Sequence, residues 1–216
     1  KNDALQLFKF GFQTQLSEFL QFFNTRLSYY FLVYHAGEAK LGVFSIGVAL
    51  SEAVLVVARS ISMGQYSRIL GEGIGKTEAK EVTREGLKYC LMFTLIVLIV
   101  ANLLPKEIFT FIFGDEFYEV KRILLWLSPG IFFASISNII GHYFSAMGSL
   151  RILVLKSVIG VIVTFVVSVF AISRWHIDGA ILVNLSSNFI TFLVLWFAYR
   201  KFDVTMNDNM RKNDSP

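Results

Sequence analysis

Long apolar stretches alternate with short polar connections along the whole chain, and six of them have the length of a bilayer crossing. They lie near residues 10–33, 41–64, 87–104, 123–147, 152–173 and 178–199. About 20 apolar residues suffice for a helix to cross the hydrocarbon. Many of these stretches are rich in Val, Ile and Phe, which favour strands in water. In lipid a segment must satisfy its own backbone hydrogen bonds, so they are predicted to be helices regardless. The expectation is an all-α integral membrane protein: a six-helix transmembrane lobe over residues 1–200, followed by a polar, disordered tail over 201–216.

The first stretch is weak by hydropathy and strong by periodicity. Thr14, Glu18, Gln21, Thr25 and Ser28 are spaced 4, 3, 4 and 3 residues apart and stack on one helical face. Leu16, Leu20, Phe23, Leu27 and Tyr30 form an apolar stripe on the opposite side. In the second stretch Ser45, Glu52 and Arg59 recur at heptad spacing within a segment too apolar for water. A charge inside the hydrocarbon costs roughly 2.5–3.5 kcal/mol on insertion scales and usually faces a bundle interior or a water-filled path.

If these two helices pack antiparallel, a rise of 1.5 Å per residue places Glu18 and Arg59 roughly 8–12 Å from the inner boundary. Arg26 and Glu52 then fall roughly 18–24 Å from it. Crosswise pairs of Glu18 with Arg59 and of Glu52 with Arg26 are one expectation, as static bridges that pin helix register. The other makes Arg26 and Arg59, supported by Gln21, Thr25 and Ser28, contacts for an anionic substrate group, with Glu18 and Glu52 exchanging protons or cations. The hydroxyl and amide groups around the charges favour the second, since a static pair does not require them.

Composition agrees with the membrane class. Hydrophobic residues make up 55% of the chain, charged residues 17%, and the mean hydropathy is +0.59. Six crossings nearly exhaust 216 residues, leaving no room for a sizeable soluble domain. With both termini cytoplasmic, thirteen lysines and arginines of the connecting segments fall inside, Lys156 counted among them. Only Lys40, Lys106, Lys121, Arg122 and Arg174 fall outside. That bias predicts cytoplasmic ends. It also accounts for the net charge of +4 without nucleic acid as a partner. The connection 65–86 alternates acidic and basic residues and reads as a surface helix at the headgroups. Pro129 is expected to kink the fourth span or set its first turn, and Asp178 to cap the sixth.

Other chemistry is sparse. Cys90 has no cysteine partner, and His35 and His176 share no ligand spacing with it, so no metal and no cofactor is expected. His142 reads as hydrogen-bonded to a neighbouring helix. The run Gly71 to Thr77 lacks the glycine that a phosphate loop needs where Leu70 stands, and no strand precedes it. No catalytic set of Ser, His and Asp appears outside the spans, so the chain is read as not an enzyme. It begins with Lys1 and is taken as a fragment or truncated product.

Several short motifs, in order along the chain, carry a resemblance. They are Gly42-Val43-Phe44-Ser45, Leu104-Pro105-Lys106-Glu107-Ile108, and Ile112-Phe113-Gly114-Asp115-Glu116-Phe117, then Leu127-Ser128-Pro129-Gly130, Tyr143-Phe144-Ser145-Ala146-Met147-Gly148 and Ile177-Asp178-Gly179-Ala180. The chain resembles the C-terminal half of O-antigen flippase-like polysaccharide and lipid-linked oligosaccharide flippases, in the multidrug/oligosaccharidyl-lipid/polysaccharide exporter superfamily. The resemblance implies one lobe of a two-lobe exporter in the bacterial inner membrane. Its substrate would be an undecaprenyl-diphosphate-linked oligosaccharide for lipopolysaccharide-type polymers, moved by alternating access. It further implies, as partners, an N-terminal lobe missing from this sequence, membrane lipids and polysaccharide assembly proteins. A drug or metabolite cation antiporter of the same superfamily is the nearest rival. A noncatalytic scaffold and a membrane-bound sugar transferase are rivals of other classes. A net positive cavity would favour the diphosphate, a net negative one the cation.

Overall fold

Proline and glycine divide the chain where they must. Pro105 opens a short helix, Gly37 (φ +83°) turns the chain between the first two helices, and Gly148 (φ +70°) turns it before the last. The resulting helices are α1 (Asn2–Ala36), α2 (Glu38–Gly71), α3 (Lys76–Leu103), α4 (Lys106–Phe113), α5 (Val120–Ala146) and α6 (Leu150–Asn213), with a three-residue 3-10 turn, Asp115–Phe117, before α5. The computed structural model describes the backbone of residues 2–71 and 73–213, and the side chains of residues 8, 10–71, 73–115 and 117–201. No strand occurs among the described residues, and the protein is an all-α membrane bundle.

Helix α6 is two limbs. His176 interrupts it with φ 48° and ψ −112°, so limb 150–175 folds back into limb 177–213. Gly179 makes the corner possible: its backbone lies against the Ala171 carbonyl and Ile172, where any Cβ would overlap them. α2, α3, α5 and the 150–201 part of α6 are long and apolar enough to cross a membrane. α1 does not meet that measure of hydropathy, because one of its faces is polar.

α5 is the central element, packed on α2, α3 and α6. Near the Gly37 end its Ile123, Leu124, Leu127 and Ile131 are buried with Phe44 and Val48 of α2 and Ile177, Ala180 and Ile181 of α6. Near the other end Ile136, Ile140, Tyr143 and Phe144 meet Ile69, Ala79, Val82 and Leu195. Gly47 of α2 sits directly on Ile123. Outward, α3 exposes Met92, Leu95, Ile96, Ile99 and Val100, and α6 exposes Ile162, Phe165, Val166 and Phe170. Such contiguous apolar surface belongs in lipid.

Two local expectations, the long connection over 65–86 and the cap at Asp178, are corrected. The connection expected over 65–86 is far shorter: α2 runs to Gly71 and α3 begins at Lys76, so the alternating charges are the first turns of α3. The Gln65 amide, buried between them, donates to Thr83 Oγ1 at 2.8 Å. Of the two roles expected of Pro129, setting a first turn is ruled out, since it lies well inside α5. Asp178 is no cap, since the break falls at His176; its carboxylate meets Arg122 at 3.1 Å. The helical backbone runs to Asn213, with neither Gly nor Pro between Phe202 and Asn213, through most of the segment read as a polar tail. Residues 214–216 of that tail lie outside the described residues.

Candidate functional site

α1 leans mainly on α6 and α2 mainly on α5. The two helices meet near the Gly37 turn, where Tyr29 and Phe44 pack edge to face at 5.8 Å. The space left between them, floored by α5 and α6, is a cavity of about 540 Å³. Its wall takes Ser17, Glu18, Gln21, Phe22, Thr25 and Arg26 from α1. α2 adds Glu52, Arg59 and Met63, α5 adds Asn138 and His142, and α6 adds Lys156.

Six of the seven residues singled out from the sequence, Glu18, Gln21, Thr25, Arg26, Glu52 and Arg59, therefore share one concavity. Ser28 does not line it. Its hydroxyl is buried, donates to the Thr25 carbonyl at 3.3 Å, and faces a chamber of about 40 Å³ with Asn24, Thr164 and Ser187. Between the two, a chamber of about 90 Å³ continues the cavity past Glu52, Arg59 and Lys156 to Asn184, Asn188 and Thr191. Gly130 lets α5 come close to those asparagines, since a Cβ there would stand 3.2 Å from Asn184 Oδ1 and 3.4 Å from Asn188 Nδ2.

The crosswise bridges are absent: Glu18, Arg26, Glu52 and Arg59 form no ion pair within 4.0 Å among the described residues. Arg26 instead lays its guanidinium over aromatic faces, 5.2 Å from the Tyr29 ring centre and 5.7 Å from that of Phe22. Such stacking holds a cation without neutralising it. Tyr29 lies within electrostatic range of both Arg26 and Glu52, so the two charges face one neighbourhood without closing on each other.

Two further groups complete the wall. Lys156 belongs to the first limb of α6, not to a connection, and it lies within electrostatic range of Glu18 across the cavity without pairing to it. His142 does not reach a neighbouring helix for its hydrogen bond. Its Nδ1 donates to the Asn138 carbonyl of its own helix at 2.9 Å, and its ring edges against Tyr66 at 5.9 Å. With Nδ1 the donor, Nε2 of the neutral ring is an acceptor. Asn138 and Asn188 escaped the sequence reading, and Asn184 stood out there only as part of Asn184-Leu185-Ser186, a glycosylation pattern made unusable by its place inside a span. The 184/188 pair and the Asn138/His142 pair both have i, i+4 spacing inside apolar spans, the same signal that exposed α1.

Three basic side chains, Arg26, Arg59 and Lys156, face two carboxylates, Glu18 and Glu52, so the cavity carries a formal surplus of one positive charge. A membrane bundle that keeps unpaired charge in a wide polar cavity has the architecture of a transporter. The MatE family model matches residues 15–170, more than half of the chain, from within α1 through α5 to most of the first limb of α6. The chain belongs to the MatE family of membrane exporters, in the multidrug/oligosaccharidyl-lipid/polysaccharide exporter superfamily. No curated protein and no solved structure matches the chain.

Proposed function

We propose that this chain is the C-terminal lobe of a flippase that moves a lipid-linked oligosaccharide through its diphosphate, with an N-terminal lobe closing the open side of the cavity. The reading rests on the surplus of positive charge: three cations, none neutralised by an ion pair, face the cavity. A diphosphate needs several donors in a partly dehydrated site, and guanidinium groups match phosphate oxygens in pairs. Arg59 and Lys156, on opposite walls, clamp it, and Arg26 holds the outer oxygen. Gln21, Thr25 and Asn138 offer donors and acceptors to sugar hydroxyls, while the lipid tail stays in the bilayer. Glu18 and Glu52 couple the cycle to an ion gradient: a membrane potential supplies about 2.3 kcal/mol per charge per 100 mV without ATP. The protein sits in the bacterial inner membrane with both termini cytoplasmic, as the lysine and arginine bias favours.

The test uses the whole exporter containing this lobe, in proteoliposomes loaded on one side with labelled undecaprenyl-diphosphate oligosaccharide. Arg59→Ala and Lys156→Gln should each lower translocation at least tenfold while leaving insertion and helix content unchanged. Normal translocation by both variants overturns the assignment. Proton-linked export of a lipophilic cation, abolished by Glu18→Gln and Glu52→Gln, would establish the antiporter instead.

A further inference from the structure

On the flank away from the cavity, α5 and the second limb of α6 enclose a groove of about 360 Å³ that changes from polar to apolar along its length. At its mouth Arg122 Nη2 stands 3.1 Å from Asp178 Oδ1 and 3.2 Å from Glu119 Oε2. Both ends of the Arg122–Asp178 pair stay open to solvent, with side-chain exposures of 48% and 57%. Below the pair Trp126, one turn on from Arg122, and Leu182, one turn on from Asp178, expose 59% and 41% of their surface, with Ile181 and Leu185 completing the wall. From Asp178 to Leu185 the groove descends roughly 10 Å at the helical rise. A ligand that fits has a charged head and an apolar body.

The charges specify the head. Two carboxylates flank one guanidinium, so the mouth is locally negative and repels an anionic head. Arg122 keeps N–H groups for a phosphate, and Asp178 Oδ2 has no partner among the described residues and accepts from an N–H donor. A primary ammonium beside a phosphate satisfies both groups at once, whereas a quaternary ammonium has no N–H to give. The geometry points to a site for an ethanolamine phospholipid, its phosphate on Arg122, its ammonium on Asp178 and Glu119, and the start of an acyl chain on Trp126 and Leu182. The site stands apart from the transport cavity and does not depend on what that cavity carries.

Trp126 is its own reporter. The whole chain carrying Trp175→Phe and Trp196→Phe retains Trp126 as its single tryptophan. It is placed in bilayers of unlabelled phosphatidylcholine doped with brominated-acyl phosphatidylethanolamine, phosphatidylglycerol or phosphatidylcholine. Quenching by the ethanolamine lipid should reach half-maximum at a mole fraction at least threefold lower than for the other two. Asp178→Asn should remove that preference, Asp178→Glu should keep it, and circular dichroism should show the same helix content in both. Equal quenching by all three lipids, meaning annular lipid only, overturns the proposal, as does a preference for phosphatidylglycerol or a preference that survives Asp178→Asn.

Discussion

The Asn24 amide of α1 donates to the Ser187 hydroxyl on the second limb of α6 at 3.0 Å, and Gly160 on the first limb leaves the space in which that amide lies. One polar side chain thus clasps the least apolar helix to both limbs of α6. Hydrogen bonds between membrane helices average about 0.6 kcal/mol and reach about 1.7, so Asn24→Leu should destabilise the bundle by about 1 kcal/mol. Gly160→Val should cost more, because a Cβ there meets Thr191 Cγ2 at 3.1 Å and Asn24 Nδ2 at 3.3 Å. Reversible unfolding in mixed detergent micelles measures both. A Gly160→Val variant as stable as the parent would show that α1 does not seat there.

A second close approach fixes α2 on α5. A Cβ at Gly47 would stand 2.5 Å from Ile123 Cγ2, deep in the core. Overpacking of this kind costs about 1–3 kcal/mol, and Gly47→Ala should fall in that range. Ile123→Ala alone should also destabilise, through the space it leaves. Combined, the two should recover part of the loss, with a coupling of about 1 kcal/mol in a double-mutant cycle. Strict additivity would mean that the two side chains do not share the space.

Outside the membrane-spanning segments, the Tyr118 phenol donates to Glu119 Oε1 at 3.0 Å. That hydrogen bond, and then the carboxylate charge itself, raise the Tyr118 pKa, while Arg122 pulls the other way. A raised folded-state pKa means that the contact stabilises fully below the unfolded value, about 10, and is lost as pH rises through the folded value. Carbon-13 labelling at tyrosine Cζ, with Tyr118→Phe to assign the signal, should show Tyr118 titrating later than a free tyrosine. Glu119→Gln should bring it back toward the ordinary value. If Glu119→Gln leaves the titration where it was, the carboxylate is not the cause.

Hydropathy made the lipid-facing parts of the bundle legible, because only apolar residues tolerate hydrocarbon. It saw less of the helix ends: the first turns of α3 are charged on one side and read as a connection until Gln65 and Thr83 are seen to join α2 and α3. Periodicity exposed the polar face of α1, since its residues lie close in sequence. Lys156 was hidden for the opposite reason. A lone cation near the start of a span looks like a snorkelling interfacial residue, and its neighbour Glu18 comes from a helix far away in the chain. The break between the spans 152–173 and 178–199 was legible in hydropathy, and His176 falls in that gap; its tightness was not, because it is set by the close seating of Gly179 on Ala171.

A polar cavity with a formal surplus of positive charge also dictates how thiols placed in it react. Cys90 is 1% exposed and should stay inert to polar reagents, and Cys90→Ala gives a background free of cysteine. Single cysteines at Arg59 and Lys156 on the cavity wall can then be compared with one at Phe170, which is 70% exposed on the apolar flank of α6. Water must reach a thiol to ionise it, so the two cavity positions should react with charged methanethiosulfonates at least tenfold faster than the lipid-facing one. Each replacement removes one cation, so the sign of the field is read better from a cysteine at Gln21, which leaves all three in place. There the anionic sulfonatoethyl reagent should gain on the cationic trimethylammonium reagent, and the gain should shrink as salt rises and screens the field. A cationic reagent that wins at position 21 at low salt would mean that the carboxylates Glu18 and Glu52 dominate the cavity, and the diphosphate reading would give way to one in which the cavity binds a cation.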